Sequence, residues 1–239
     1  MKAIILAAGY GSRMYPLVQD MPKCLLTIKG ETILARQFRI LRNCGVKDIT
    51  VVTGFHHEKI AELYGEEVSI RYNPHYEITG NIFSLWVARD LLTDDVIIMN
   101  SDVIFTEEPV RAVVADGNSY CLIVDKGPCD EEAQKVKVTG DNVVDISKMI
   151  PPEETFGEFI YIAKIKKEGL ETFKESLFEY VKKNSNAGWS STFGDLAKKG
   201  YQVNFILISN PWTEIDTKED YAEAEKFQKR FATGQRKEE

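Results

Sequence analysis

Apolar runs and amphipathic stretches alternate along the chain, and their periods predict its elements in turn. Residues 2–6 form a mostly apolar run followed closely by glycines, the pattern of a central parallel strand. After a long loop, Ile33, Leu34, Phe38, Leu41 and Cys44 recur at helical spacing, and Gly45 follows as a stop signal. Residues 48–53 read as the next strand, 58–63 as a short helix and 68–72 as a third strand. A helix is predicted over 81–92, ahead of a buried strand at 96–99. The βαβα order predicts an α/β fold, a Rossmann-like open, mostly parallel sheet with helices on both faces.

The second half changes character. Residues 135–138 and 143–146 flank Thr139-Gly140-Asp141-Asn142 and read as a small β-hairpin insertion. Residues 159–165 are a strand, and 168–181 a helix with Leu170, Phe173, Leu177 and Val181 inward. A helix at 192–198, a strand at 203–208 and a helix over 218–231 built on Tyr221, Ala224 and Phe227 complete the reading. No fixed-period repeat and no low-complexity linker interrupts it. One domain is therefore expected over 1–231, with the charged residues 232–239 as a frayed tail.

Composition narrows the function classes. A chain of 239 residues, 44% of them apolar, fills one sizeable core but not two domains with linkers. The net charge of −7 argues against a nucleic-acid partner, although a basic pocket confined to one cleft is compatible with it. Cys24, Cys44, Cys121 and Cys129 show neither a CxxC pair nor zinc-ligand spacing, so reduced thiols are expected, with Cys24 a small buried residue. His56, His57 and His75 complete no metal-ligand pattern with them. The amino-terminal apolar run is too short for a signal peptide or a membrane span, so a cytoplasmic protein without a membrane partner is expected.

The chemistry concentrates in Leu6-Ala7-Ala8-Gly9-Tyr10-Gly11-Ser12-Arg13, followed by Pro16 and then Pro22-Lys23. Phosphates approach backbone N–H groups closely only where no Cβ intrudes, and alternating glycines with small neighbours allow that. Arg13 and Lys23 add a planar fork and a point charge. A dinucleotide fingerprint fails because Met14 takes the place of its third glycine, and no Walker A Gly-Lys-Ser/Thr occurs. Two carboxylates stand out further on. Asp102 follows the strand at 96–99, where open α/β sheets place ligands, and Asp216 precedes the last helix. Each suits a hard cation, and each has an ordinary alternative as a turn or cap residue.

Taken together, these stretches resemble the sugar-phosphate and alcohol-phosphate nucleotidyltransferases. The loop matches Leu-Ala-Ala-Gly-x-Gly-Ser-Arg with a downstream Pro-Lys, and Glu214-Ile215-Asp216-Thr217 matches the family's second acidic stretch. The resemblance runs from residue 1 to about 227. It implies that Leu6, Ala7, Ala8, Gly9, Gly11, Ser12 and Arg13 bind the nucleotide, and that Lys23 reaches its α-phosphate. It also implies that Asp102 and Asp216 hold Mg²⁺, and that Lys23, Arg13 and Asp102 are catalytic. An acceptor phosphate oxygen would then attack the α-phosphorus in line and expel pyrophosphate, with positioning and charge neutralisation supplying the catalysis.

Substrate signals are weaker. Asn81 and Ser84, in place of the family's usual Gln/Gly-rich helix start, resemble the phosphocholine and inositol-1-phosphate cytidylyltransferases. CTP is the favoured nucleotide on that basis, with Asn81 and Ser84 reading base or ribose, or else Asn81 capping a helix and Ser84 facing solvent. The stretch Glu132-Ala133-Gln134-Lys135 and the later Gly157-Glu158 extend the likeness and imply that Lys135 and Glu158 meet the acceptor. Tyr161 stands where many relatives carry glycine. Tyr161, Trp189 and Trp212 form either an aromatic cage for a quaternary ammonium or ordinary core. The expected partners are thus a nucleoside triphosphate and a small phosphate ester, on a monomer or homodimer. A sugar-1-phosphate uridylyl- or thymidylyltransferase is the alternative enzyme. A non-catalytic nucleotide-binding subunit is disfavoured, because Arg13, Lys23, Asp102 and Asp216 are all present.

Overall fold

Short apolar runs between amphipathic helices leave one arrangement that buries both, a sheet with helices packed on its faces. The computed structural model describes residues 1–209 and 211–233. Most of the tail expected over 232–239 lies outside the described residues, as does the side chain of Phe227.

The first half supplies β1 (Lys2–Ala7), a small hairpin of β2 (Thr27–Ile28) and β3 (Glu31–Thr32), and α1 (Ile33–Asn43). Then come β4 (Asp48–Thr53), α2 (His57–Tyr64), β5 (Ser69–Tyr72), α3 (Asn81–Val87), β6 (Val96–Asn100), β7 (Val103–Phe105) and α4 (Glu107–Ala115). The second half adds β8 (Tyr120–Asp125), β9 (Lys135–Thr139), β10 (Asn142–Ile146), β11 (Gly157–Ile165), α5 (Leu170–Lys183) and α6 (Ser191–Lys198). It closes with β12 (Asn204–Ile208), β13 (Trp212–Glu214) and α7 (Lys218–Thr233).

Nine strands form the main sheet, in the order β10-β9-β11-β6-β1-β4-β5, with β8 on β11 and β12 on β8. Its centre is parallel: β1 pairs in parallel with both β4 and β6. Because β1 has neighbours from later in the chain on both sides, the connections diverge at its carboxyl end and leave a crevice there. The expected parallel α/β centre is present, while β11 runs antiparallel to β6, β8 and β9. The helix expected over 81–92 stops at Val87, and a 3₁₀ turn at Arg89–Leu91 takes its place. The strand β8, the helix α4 and the pair β7–β13 had no reading in the sequence.

That pair positions the site. β7 leaves β6 just after Asp102 and pairs antiparallel with β13, with Glu214 opposite Val103. The Ile215 N–H donates to the Asp102 carbonyl at 2.9 Å, which fixes the two acidic stretches side by side. Below them, Met14, Val18, Ile104 and Ile215 belong to a small apolar cluster separate from the main core. Met14 is fully buried there. The residue that breaks the dinucleotide fingerprint thus anchors the glycine loop over β7, a burial that contributes about 1.5–3 kcal/mol. Among the described residues, no helix is long and apolar enough to cross a membrane.

Candidate active site

The glycine loop leaves β1 at the crevice. Gly11 sits at φ 62°, a left-handed conformation that favours glycine, and a Cβ there would also crowd the Lys23 Cβ at 3.3 Å. A Cβ on Gly9 would meet nothing within 4 Å, which leaves that face of the loop open to a ligand. The backbone then tightens into a 3₁₀ turn over Ser12–Met14.

Across from the loop, the carboxylates converge. Ligand oxygens of Asp102, Glu214 and Asp216 all lie within 4.8 Å of one another. The Lys23 Nζ stands 2.8 Å from Asp102 Oδ2 and 2.8 Å from Asp216 Oδ1. Arg13 Nη2 reaches Asp216 Oδ2 at 2.8 Å. Lys23 and Arg13 therefore neutralise the aspartates here, although the loop resemblance pointed them at phosphates. The cap alternative for Asp216 is excluded, because Thr217 and Asp220 exchange side-chain to backbone hydrogen bonds and cap α7 themselves. The Asp216 carboxylate is left to the cluster.

Electrostatics follow from burial. Burial pulls the Lys23 ammonium pKa down, but Asp102 and Asp216 more than reverse it, and Lys23 ends well above its usual range. Burial, reinforced by the charges of Asp102 and Asp216, lifts the Glu214 carboxyl far above the carboxylate range. Burial also raises the Tyr161 phenol, with Glu214 and Asp102 adding to it, so Tyr161 remains a hydroxyl donor. The thiol of Cys24, pushed up to about 12 chiefly by burial, is inert at neutral pH. All four cysteines are free.

The donor set fits a hard divalent ion. Every candidate ligand atom is a carboxylate oxygen, and Asp102 Oδ1 is buried without a hydrogen-bond partner. Glu214 was given no role in the sequence reading. Its only signal was its place in the same Glu-Ile-Asp-Thr stretch, two residues before Asp216 at the end of β13.

Two joined basins open from this cluster. The inner one is lined by the loop residues Leu6, Ala7, Ala8 and Gly9, with Asn81 and Ser84 opposite. Neither helix alternative holds for those two. Gly80, not Asn81, is the N-cap of α3, and Ser84 is buried rather than solvated. The outer basin begins at Asn81, Lys148 and Tyr161 and extends past Gln134, Asn186 and Ser191. Tyr161 sits at a bulge in β11, between residues paired with β9 and residues paired with β6, at φ 57°. Its side chain thus enters the cleft where those two neighbours part.

Several acceptor expectations are corrected. Trp189 has no exposed surface: it packs on Phe159 and Phe193 and donates from Nε1 to Asn100 Oδ1 at 2.9 Å. Trp212 donates to Asp125 at 3.0 Å and lines neither basin. The cage is therefore not assembled. Lys135 is buried, donates to the Lys148 carbonyl at 2.8 Å and lines a separate cleft beside Cys129 and Phe156. Lys148, unmarked by any sequence motif, takes the place in the basins and pairs with Glu132 at 2.8 Å. Glu158 faces Lys135 across the β9–β11 ladder, outside both basins.

The Glu158 carboxyl is raised to about 7, first by burial and then by the charges of Asp130 and Asp125. Its folded value lies above the ordinary 4.5, so the native state holds a proton that the unfolded chain releases. Stability is therefore lost as pH rises from about 4.5 through about 7. Glu158→Gln is expected to melt higher than the parent near pH 8, with the difference narrowing towards pH 4. Parallel melting curves for the two proteins across that range would contradict the assignment.

Comparison with known proteins adds to this geometry. The profile of the MobA-like NTP transferase domain matches residues 3–131. The CTP:phosphoglutamine cytidylyltransferase of Campylobacter jejuni is 27% identical over 247 residues, covering 92% of this chain and 97% of that protein. The UTP–glucose-1-phosphate uridylyltransferase AglF of Haloferax volcanii is 28% identical over 237 residues, covering 94% and 95%. Among solved structures, the CTP:phosphocholine cytidylyltransferase LicC from Streptococcus pneumoniae superposes with a TM-score of 0.81 at 23% identity, covering 95% and 98%. That last likeness concerns the fold.

Proposed function

This chain belongs to the MobA-like NTP transferase family, and from that premise we propose that it transfers CMP from CTP to a small alcohol phosphate, releasing pyrophosphate. The observation that carries the reading is the convergence of Lys23, Arg13, Asp102 and Asp216 beside an open glycine loop. In this reading the loop's backbone N–H groups receive the triphosphate, and Lys23 and Arg13 neutralise its oxygens. Asp102 and Asp216 would hold Mg²⁺, with Glu214 beside them, and the ion would supply further neutralisation of phosphate charge. An acceptor phosphate oxygen forms the new bond to the α-phosphorus as the bond to pyrophosphate breaks. The nucleophile is already anionic near neutral pH, so no strong base is needed.

Lys148 and Tyr161, which line both the cleft at the acidic cluster and the outer basin, suit the acceptor phosphate as charge and hydroxyl donor. Beyond them, Gln134, Ser147, Asn186 and Ser191 line the outer basin with amides and hydroxyls and Tyr180 and Lys198 add a phenol and an ammonium, and among the described residues no carboxylate lines it. With Trp189 committed to the core, this lining supports a hydroxyl-rich acceptor tail over a quaternary ammonium.

Pyrophosphate release with Mg²⁺ tests the reading across CTP, UTP, dTTP and GTP, each paired with inositol 1-phosphate, phosphocholine and glucose 1-phosphate. CTP with inositol 1-phosphate is expected to be the best of these pairs. A clear win for UTP with glucose 1-phosphate would reverse the substrate reading and leave the reaction class standing.

A further inference from the structure

Obligate donors fix which end of each amide faces the inner basin. The backbone N–H of Trp189 donates to Asn81 Oδ1 at 2.9 Å, and the indole of Trp189 to Asn100 Oδ1 at 2.9 Å. An N–H cannot accept, so both asparagines turn their oxygens to Trp189 and present their NH₂ groups elsewhere. Asn81 and Asn100 both line the basin.

The same logic reaches Ser84 through a residue that does not line the basin. Asn73 is wholly buried, and its Oδ1 accepts the backbone N–H of His75 at 2.9 Å. Its Nδ2 is therefore the atom that meets Ser84 Oγ, at 3.1 Å, and Ser84 is the acceptor in that bond. Among the described residues the Ser84 side chain has no other hydrogen-bond partner. Its own O–H is left to donate into the basin that it lines beside Ala7, Ala8 and Gly9.

The side chains of Asn81, Ser84 and Asn100 thus present hydrogen-bond donors to whatever base lies on the Ala7–Ala8 face. Cytosine offers acceptors at both O2 and ring N3. Uracil offers O2 and O4, but its N3 carries a proton and meets a donor with a donor, so the donor that meets N3 is the one that tells the two bases apart. We infer that Asn73 is a positioning residue that makes Ser84 a donor, and that Ser84, by donating to the ring N3 position, selects cytosine over uracil. The inference rests on the proposed nucleotidyl transfer and names the contact that sets its nucleotide preference.

The test is the ratio of kcat/KM for CTP to that for UTP, with one acceptor, which does not depend on the active fraction of a preparation. A parent enzyme that prefers UTP would overturn the nucleotide reading itself. Given a CTP-preferring parent, Ser84→Ala is expected to lower the ratio about tenfold or more, mainly through CTP. Asn73→Asp, assayed near pH 8, places a carboxylate that accepts from both His75 and Ser84, so that Ser84 becomes an acceptor towards the base. The ratio should then move in favour of UTP, by at least as much as in Ser84→Ala. Preservation of the parent ratio in either variant, including loss of both nucleotides in parallel, would overturn the inference.

Discussion

Asp102→Asn is expected to lower kcat by roughly a thousandfold while leaving thermal stability close to that of the parent. Asparagine keeps the size of the side chain but removes one of two charges proposed to hold the divalent ion. The stability side follows from the cluster itself. Asp102, Glu214 and Asp216 crowd three acids around Lys23, and the charge of Asp102 is one of the forces that raises the Glu214 carboxyl. Removing it relieves that repulsion, while Lys23 keeps Asp216 at 2.8 Å. Steady-state rates over a range of Mg²⁺ concentrations, with melting curves alongside, would check both halves. Near-parental kcat would remove Asp102 from the chemistry.

Lys23→Ala is expected to separate two effects that Asp102→Asn joins. Turnover should fall by roughly a hundredfold to a thousandfold, because a cation proposed for the reacting phosphate is gone. Divalent-ion affinity of the nucleotide-free protein should nevertheless rise, because the ammonium that bridges Asp102 and Asp216 competes for the same oxygens. Calorimetric titration with Mg²⁺ or Mn²⁺ reads the second effect directly. If the variant binds the ion no more tightly than the parent, Lys23 is not a competitor for the carboxylates.

Local patterns made the parallel centre and the glycine loop legible. A strand at residues 48–53 and a helix stop at Gly45 are written in neighbouring residues, and the structure places both as expected. The features that escaped all depend on contacts distant in sequence. The short strands β7 and β13 have too few residues to show a period, yet their pairing brings Asp216 to Asp102. Trp189 was left open between cage and core because nothing nearby reveals Phe159 and Phe193 packed on it. Lys135 and Lys148 show the same limit. Both are lysines near the hairpin, and only the folded return of β10 decides which one enters the cleft. The polarity of Ser84 needed still more, namely the orientation of an amide that itself never meets the cleft.

The ladder between β7 and β13 also constrains when the molecule becomes competent. Lys23 and Asp216 are 193 positions apart, and Asp216 leaves the ribosome only after every strand of the parallel centre has been made. The strands of that centre precede β13 in the chain, and the acidic half-site has a single aspartate until β13 docks. Proteolytic loss of the segment carrying β13 should likewise silence the protein while sparing the main sheet, because closure of the site is among the last contacts the chain can form.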